Sequence, residues 1–217
     1  MFALLSALAT CHAQAGVILM PDSAYTTSID GGTTPPMGSL TGFEEFQTVN
    51  QSGLTTPYMS GVTDFDAYIA SAPTHGSSLD YNSWRSDLGS PTVGFLDFDL
   101  GATFTIESMA LWNYGGNHEQ NVAVFDLKVA DNPDFTGATS FTTDVVNTNT
   151  GPSTAVLPQV FSITPTAGRY VRMEILANNG SPDFTAIGEV AFEVVPEPST
   201  TVLIGLAAGL FARRRRP

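Results

Sequence analysis

Apolar residues recurring at every second position run through the second half of this chain, and they restrict it to β-sheet. In residues 95–100, Leu96, Phe98 and Leu100 fall on one face while Asp97 and Asp99 fall on the other, the period of a strand and not of a helix. Residues 122–129 repeat the pattern, with Ala123, Phe125, Leu127 and Val129 opposite Asp126 and Lys128. Residues 169–175 set Val171, Met173 and Ile175 against Tyr170, Arg172 and Glu174, and Val190, Phe192 and Val194 close the series. A further strand begins at Phe104 and Ile106 and runs to Trp112. Turn-forming stretches at 113–120, 131–134 and 178–182 separate these runs. No long amphipathic helix is encoded, so a parallel sheet with crossover helices is excluded. The expected class is all-β, an antiparallel β-sandwich of the jelly-roll kind.

The first half is less regular. Residues 16–20 are a short strand candidate, and 21–40, rich in Thr, Gly, Ser and Pro, read as an extended arm or loop. Residues 43–49 read as a first strand or a short packed segment. Residues 63–70 suggest one brief helix, with Thr63 as its cap and Phe65 and Ile69 on one side.

Both ends read as addressing segments. Residues 2–10 are apolar and Ala13-Gln14-Ala15 has the small residues at signal-peptidase spacing, so residues 1–15 are expected to be a leader. Cys11, the only cysteine, lies inside it, which leaves the mature domain with neither a disulfide framework nor a thiolate metal site. At the other end, Pro196-Glu197-Pro198 precedes an uncharged apolar run, 201–212, and then Arg213, Arg214, Arg215 and Arg216. An apolar run can remain in lipid as a helix while the arginines resist crossing. The run is shorter than the roughly 20 residues of a full span, so transient contact with the inner membrane is expected. This tail resembles the PEP-CTERM sorting signal of Gram-negative bacteria that make exopolysaccharide. The resemblance implies recognition and cleavage by an exosortase-type sorting protease, and passage to the cell surface or extracellular matrix. The expected layout is a leader over 1–15, an extended arm over 16–42, a β-sandwich over 43–195 and a sorting signal over 196–217.

Between the two signals, residues 16–195 carry twenty acidic side chains and four basic ones, Arg85, Lys128, Arg169 and Arg172, a formal charge of −16. Such a field repels nucleic acid and anionic lipid and favours cations.

Residues 43–195 resemble the discoidin-like, or coagulation factor type C, domain, a galactose-binding-like jelly roll. Residues 95–101 resemble its aromatic-x-acidic-leucine-glycine strand ending. Residues 104–112, 125–131, 168–173 and 187–190 resemble the landmarks that follow. Bacterial domains of this kind often bind glycans, so the resemblance implies an extracellular polysaccharide partner. Around Gly115-Gly116, Trp112 and Tyr114 offer aromatic faces and Asn117 and His118 offer polar groups for sugar hydroxyls; the alternative is that Trp112 is buried and Tyr114 a turn residue. A structural calcium ion is also implied. Asp80, Asn82 and Ser83 supply oxygen ligands on a loop just before Trp84, and Glu189 matches the family's distal acid. Tyr81 stands where a glycine is usual, and an Asx or Ser turn is the competing explanation.

Arg169 and Arg172 either hold an acidic sugar or pair across strands with an aspartate, the second being preferred. His75, in a Pro-Thr-His-Gly turn, is expected at the surface. No Gly-x-Ser-x-Gly elbow or His-Glu-x-x-His pair occurs. Asp97 and Asp99 have the chemistry of a glycosidase pair, but their spacing is that of an ordinary solvent-facing strand. The chain therefore reads as a non-enzymatic, exported surface protein that binds carbohydrate, the alternatives being a structural surface protein without a discrete ligand or a glycoside hydrolase.

Overall fold

A computed structural model describes residues 15–26, 37–76, 81–88, 94–145 and 155–195. The sorting tail, nearly all of the leader, and Asp80 lie outside these residues. Among the described residues eight strands are formed: β1 (Val17–Leu19), β2 (Ser23–Tyr25), β3 (Trp84–Arg85), β4 (Gly94–Asn113), β5 (Val122–Ala130), β6 (Thr139–Asp144), β7 (Gln159–Asn178) and β8 (Ala186–Val195). They pair antiparallel in the order β1-β8-β4-β7-β5-β6, with β2 added to β4 and β3 to β8. The jelly-roll sandwich expected from the alternation is the observed fold.

β4 and β7 are each 20 residues long and pair in stretches interrupted between Asp99 and Phe104. Gly101, at φ +81°, occupies that break, where its lack of a Cβ permits the left-handed backbone. The two halves of β4 then face each other. Leu96, Phe98 and Leu100 from the first half share one core with Ile106, Met109 and Leu111 from the second, and the ring of Phe98 meets that of Phe192 edge-on at 5.7 Å. Sequence alternation located the inward residues correctly. Its reading of the opposite face of β4 as solvent-facing fails at Asp97, which is fully buried. Asp97 lies opposite Arg172 in register and takes a bidentate bond from it, Nε at 2.6 Å and Nη2 at 2.7 Å. That guanidinium is itself stacked between Phe95 at 4.1 Å and Phe135 at 4.4 Å.

A second, smaller core lies on the outer face of β4 and β8. Ala110, Trp112 and Ala191 project outward there and are covered by Tyr58, Phe65 and Tyr68. The covering helix, α1 (Phe65–Ala70), is capped by Asp64, whose carboxylate accepts from Ala67 N at 2.8 Å. The cap is thus one residue later than Thr63, which accepts instead from Met59 N. Residues 45–49 form a 3-10 turn and no strand. The expected arm, residues 16–42, contributes β1, inside the strand expected at 16–20, and β2, whose three-residue pairing is too short to show a period.

Candidate functional site

Four loops gather at the sandwich end where β4 runs out and β8 begins. The backbone bonds Arg85 N to Phe43 O, Ser86 N to Thr185 O, Asn179 N to Asn121 O and Ser181 N to Glu119 O tie residues 39–43, 81–86, 113–121 and 178–185 into one surface. Asn113 organises the third loop. Its amide donates to Val122 O at 2.9 Å and its carbonyl accepts from Val122 N and Tyr114 N. Asn117 accepts from Glu119 N, so the loop is built by side-chain to backbone bonds and not by apolar packing.

Of the four residues singled out for glycan contact, two are at the surface. Asn117 and His118 are exposed, whereas Trp112 is fully buried and Tyr114 nearly so. Trp112 spends its one donor on Pro73 O at 3.0 Å and meets Tyr68 edge-on. An indole with both faces packed cannot stack on a sugar, and the expectation for Trp112 and Tyr114 is corrected accordingly. Sequence reasoning missed two better-placed residues, Tyr81 and Arg85. Tyr81 is 59% exposed, and its ring packs on Phe43 at 5.0 Å. The guanidinium of Arg85 lies over Phe43 at 4.5 Å and over Phe184 at 4.7 Å.

Beneath the covering layer is a cluster of buried polar groups. Glu189 is fully buried on the outward face of β8, opposite Trp112 in register. Its Oε2 accepts from Gln51 N at 3.0 Å, and Oε1 has no partner. Gln51 holds φ +61°, and its side chain also accepts from Tyr58 N at 2.8 Å. The Tyr58 hydroxyl is buried without a partner. Burial pushes the Glu189 carboxyl well above the usual carboxylate range. Burial first and the Glu189 charge second push the phenols up, Tyr68 to about 12 and Tyr58 further. His75 is buried, contrary to its expected surface position. Its Nδ1–H donates to Gly76 O at 3.0 Å, Nε2 is unpartnered, and burial lowers its pKa. Gly53 and Gly188 make room for the ring: a Cβ on Gly53 would stand 2.0 Å from Nε2.

A carboxyl whose folded pKa is raised contributes stability that is fully present below its unfolded pKa, near 4.5, and is lost as pH rises through the folded value. In EDTA, Glu189→Gln is therefore expected to lose stability relative to the parent near pH 4.5 and to recover as pH rises toward 8. A difference in melting temperature that stays flat with pH would contradict this.

The oxygens of the expected ion site are present in kind. Asn82 and Ser83 are buried, Ser83 Oγ donates to Asn82 Oδ1 at 3.3 Å, and Glu189 Oε1 is an acceptor without a donor. His75 links the two parts, because its ring meets both the Asn82 backbone and Gly188. Asp80 lies outside the described residues, and among those described no three His, Cys, Asp or Glu side chains converge as a metal cluster. Carbonyl, hydroxyl and carboxylate oxygens are the kinds of ligand atom a hard cation takes.

Asp97 and Asp99 do not form a catalytic pair. Each is engaged by a guanidinium, Asp97 by Arg172 and Asp99 by Arg169 at 2.7 and 2.8 Å. Arg169 holds the Asp99 carboxyl below its usual range. Both arginines thus serve cross-strand pairing. At the opposite end of the outer face, a cleft of about 360 Å3 is lined by Phe65, Asp66, Glu107, Val160 and Glu193. Burial first, then the charges of Asp66 and Glu107, raise the Glu193 carboxyl.

Comparisons with known proteins match this architecture. The model of the F5/8 type C domain matches residues 60–190, and that of the PEP-CTERM protein-sorting motif matches residues 194–216. No curated protein matches the chain. Among solved structures, the lectin-binding domain of lectinolysin, a His 62 mutant complexed with Lewis b, is similar at TM-score 0.51 and 14% identity, covering 85% of this chain and 95% of that one. A chitosan-binding module from Paenibacillus sp. IK-5 is similar at TM-score 0.45 and 18% identity, covering 83% and 98%. The family 32 carbohydrate-binding module of Clostridium perfringens NanJ, complexed with galactose, is similar at 0.40 and 14%, covering 51% and 75%. With a jelly roll whose landmark strands fall inside the matched range, and a sorting motif that begins at the end of the last strand, this chain belongs to the F5/8 type C domain family and carries a PEP-CTERM sorting motif.

Proposed function

We propose that the protein is exported through the inner membrane of a Gram-negative bacterium, trimmed at its tail by an exosortase-type protease, and displayed at the cell surface or in the extracellular matrix as a polysaccharide-binding protein. It binds and does not catalyse. The observation that carries this reading is the joining of the two matches on one chain, the second beginning inside β8 where the first has just ended. The lectinolysin domain, solved with a Lewis b antigen, supports a carbohydrate ligand for a fold of this kind. The surface of loops around Asn117 and His118 is where the ligand docks, because sugar hydroxyls need accessible amide and imidazole groups on a pre-formed rim.

A glycan array probed with the full-length protein in mild detergent is expected to give reproducible binding that drops at least severalfold in a combined Asn117→Ala and His118→Ala variant, with the melting temperature lowered only by the loss of the Asn117 cap. Silence across neutral and acidic glycans would overturn the binding function and favour a purely structural surface role. Intact-mass measurement of protein from its own host tests the export half, and an uncut tail in a cytoplasmic fraction would defeat it.

Calcium belongs to the same proposal. Asn82, Ser83 and Glu189 would hold it, with Asp80 as the remaining ligand, and the ion would neutralise the buried Glu189 carboxylate. Ligand linkage gives about 2.7 kcal/mol at a concentration a hundredfold above Kd. Millimolar calcium added to EDTA-treated protein is expected to raise the melting temperature by several degrees, and Glu189→Gln to abolish the rise. No shift in the parent would remove the ion from the proposal.

A further inference from the structure

Four cationic side chains lie among the described residues, and three of them face carboxylates: Lys128 with Glu174, Arg169 with Asp99 and Arg172 with Asp97. Arg85 has no such partner among the described residues, and its Nε is buried with no hydrogen-bond partner. In so acidic a domain, a guanidinium that faces no carboxylate among the described residues is unusual. Its plane is nevertheless fixed. Its Cζ lies over the ring of Phe43 at 4.5 Å and over that of Phe184 at 4.7 Å, and with Nε buried its two terminal amino groups are what it can offer a ligand. A guanidinium held in this way presents a rigid planar fork, the geometry that suits a carboxylate and that a lysine cannot reproduce.

The sequence produces this arrangement through β3. Trp84 turns into the core and donates to Ser39 Oγ at 3.0 Å, so the alternation sends Arg85 to the opposite face, between Phe43 and the turn ending at Thr185. Tyr81 is the second element. Its ring packs on the same Phe43 that Arg85 covers, stands 59% exposed, and springs from a backbone at φ +55°. An aromatic face and a cationic fork therefore border one phenylalanine, within the span of one or two sugar rings.

Resting on the carbohydrate-binding reading above, we propose that Tyr81 and Arg85 form the acidic-sugar subsite of this protein: the ring of a uronic acid stacks on Tyr81 and its carboxylate pairs with the Arg85 guanidinium. Stacking on an aromatic face is tolerant of sugar identity, whereas the planar fork selects the carboxylate. The formal charge of −16 over residues 16–195 opposes the approach of a long polyanion. The ligand is accordingly a short acidic stretch or the acidic end of a chain, and the carboxylate-lined cleft around Glu107 and Glu193 repels it.

The test is calorimetric titration of the full-length protein in mild detergent with trigalacturonate and with neutral trigalactose, at fixed ionic strength. The parent is expected to favour trigalacturonate at least tenfold. Arg85→Gln is expected to abolish the preference, Arg85→Lys to reduce it with an unchanged melting temperature, and Tyr81→Ala to weaken both sugars. Equal affinity for the two trisaccharides, or an acidic preference that survives in Arg85→Gln or is undiminished in Arg85→Lys, would overturn the subsite while leaving carbohydrate binding intact. Failure to bind any glycan on the array would instead remove the carbohydrate reading on which the subsite rests. Should Arg85→Gln not fold, the Arg85→Lys and Tyr81→Ala results decide.

Discussion

Arg172→Ala is expected to destabilise the domain by about 3–5 kcal/mol, because it strands a charge inside the protein. Asp97 is fully buried, and both its oxygens are bonded by this one guanidinium. Removing the arginine also opens the stack between Phe95 and Phe135. For a domain of this size, that loss lowers the melting temperature by roughly 6–20 °C. Replacing both partners with apolar residues, Asp97→Leu with Arg172→Met, is expected to recover most of the loss, since a buried ion pair and an apolar pair of similar volume are often close in stability. The neighbouring pair makes the contrast. Asp99 and Arg169 retain 17% and 39% of their side-chain exposure, water can replace the lost partner, and Arg169→Ala should lower stability much less. Urea denaturation of the three variants checks the ranking, and a loss for Arg172→Ala no larger than that for Arg169→Ala would mean that Asp97 is solvated.

Trp112→Ala is the second large effect, about 3–5 kcal/mol from cavity formation and lost burial. The indole is enclosed by the covering layer, and its removal also strands the Pro73 carbonyl that it satisfies. Trp112→Phe keeps most of the volume and should recover part of the loss. His118→Ala, on the exposed loop, should leave stability within about 0.5 kcal/mol. If Trp112→Ala instead kept full stability and lost glycan binding, the indole would be a ligand platform and the buried assignment wrong.

These two residues also show what the sequence could and could not reveal. The inward faces of β4, β5, β7 and β8 were legible because one-sided burial imposes a period of two. Asp97 broke that logic: both faces of β4 are covered at that point, one by the core and the other by Arg172 beneath Phe135, and alternation carries no sign of a second cover. The same holds for Trp112 and Glu189. They lie under residues 51–76, whose short helix and turns give little periodic signal, so an indole at a strand end looked like a free sugar platform. The cross-strand preference for Arg172 was readable from composition, since four cations amid twenty acids are readily matched. Arg85 and Tyr81 left no comparable trace. Their juxtaposition requires Phe43 and Phe184, 141 residues apart in the numbering of the chain, to meet around one guanidinium, and spacing along the sequence cannot foretell that.

The pairing of β1 with β8, Val17 against Val194, has a consequence for the order of events at the membrane. The two cuts of the processing proposed above, after Ala15 and at the motif beginning with Pro196, would fall within two residues of strands that pair with each other, since β1 begins at Val17 and β8 ends at Val195. Any protease working there must approach a folded wall at contact distance, or act before the wall has zipped shut. On that proposal maturation and closure of the sandwich would be coupled in time, and inserting a short flexible spacer after Val195 is the manipulation that would uncouple them.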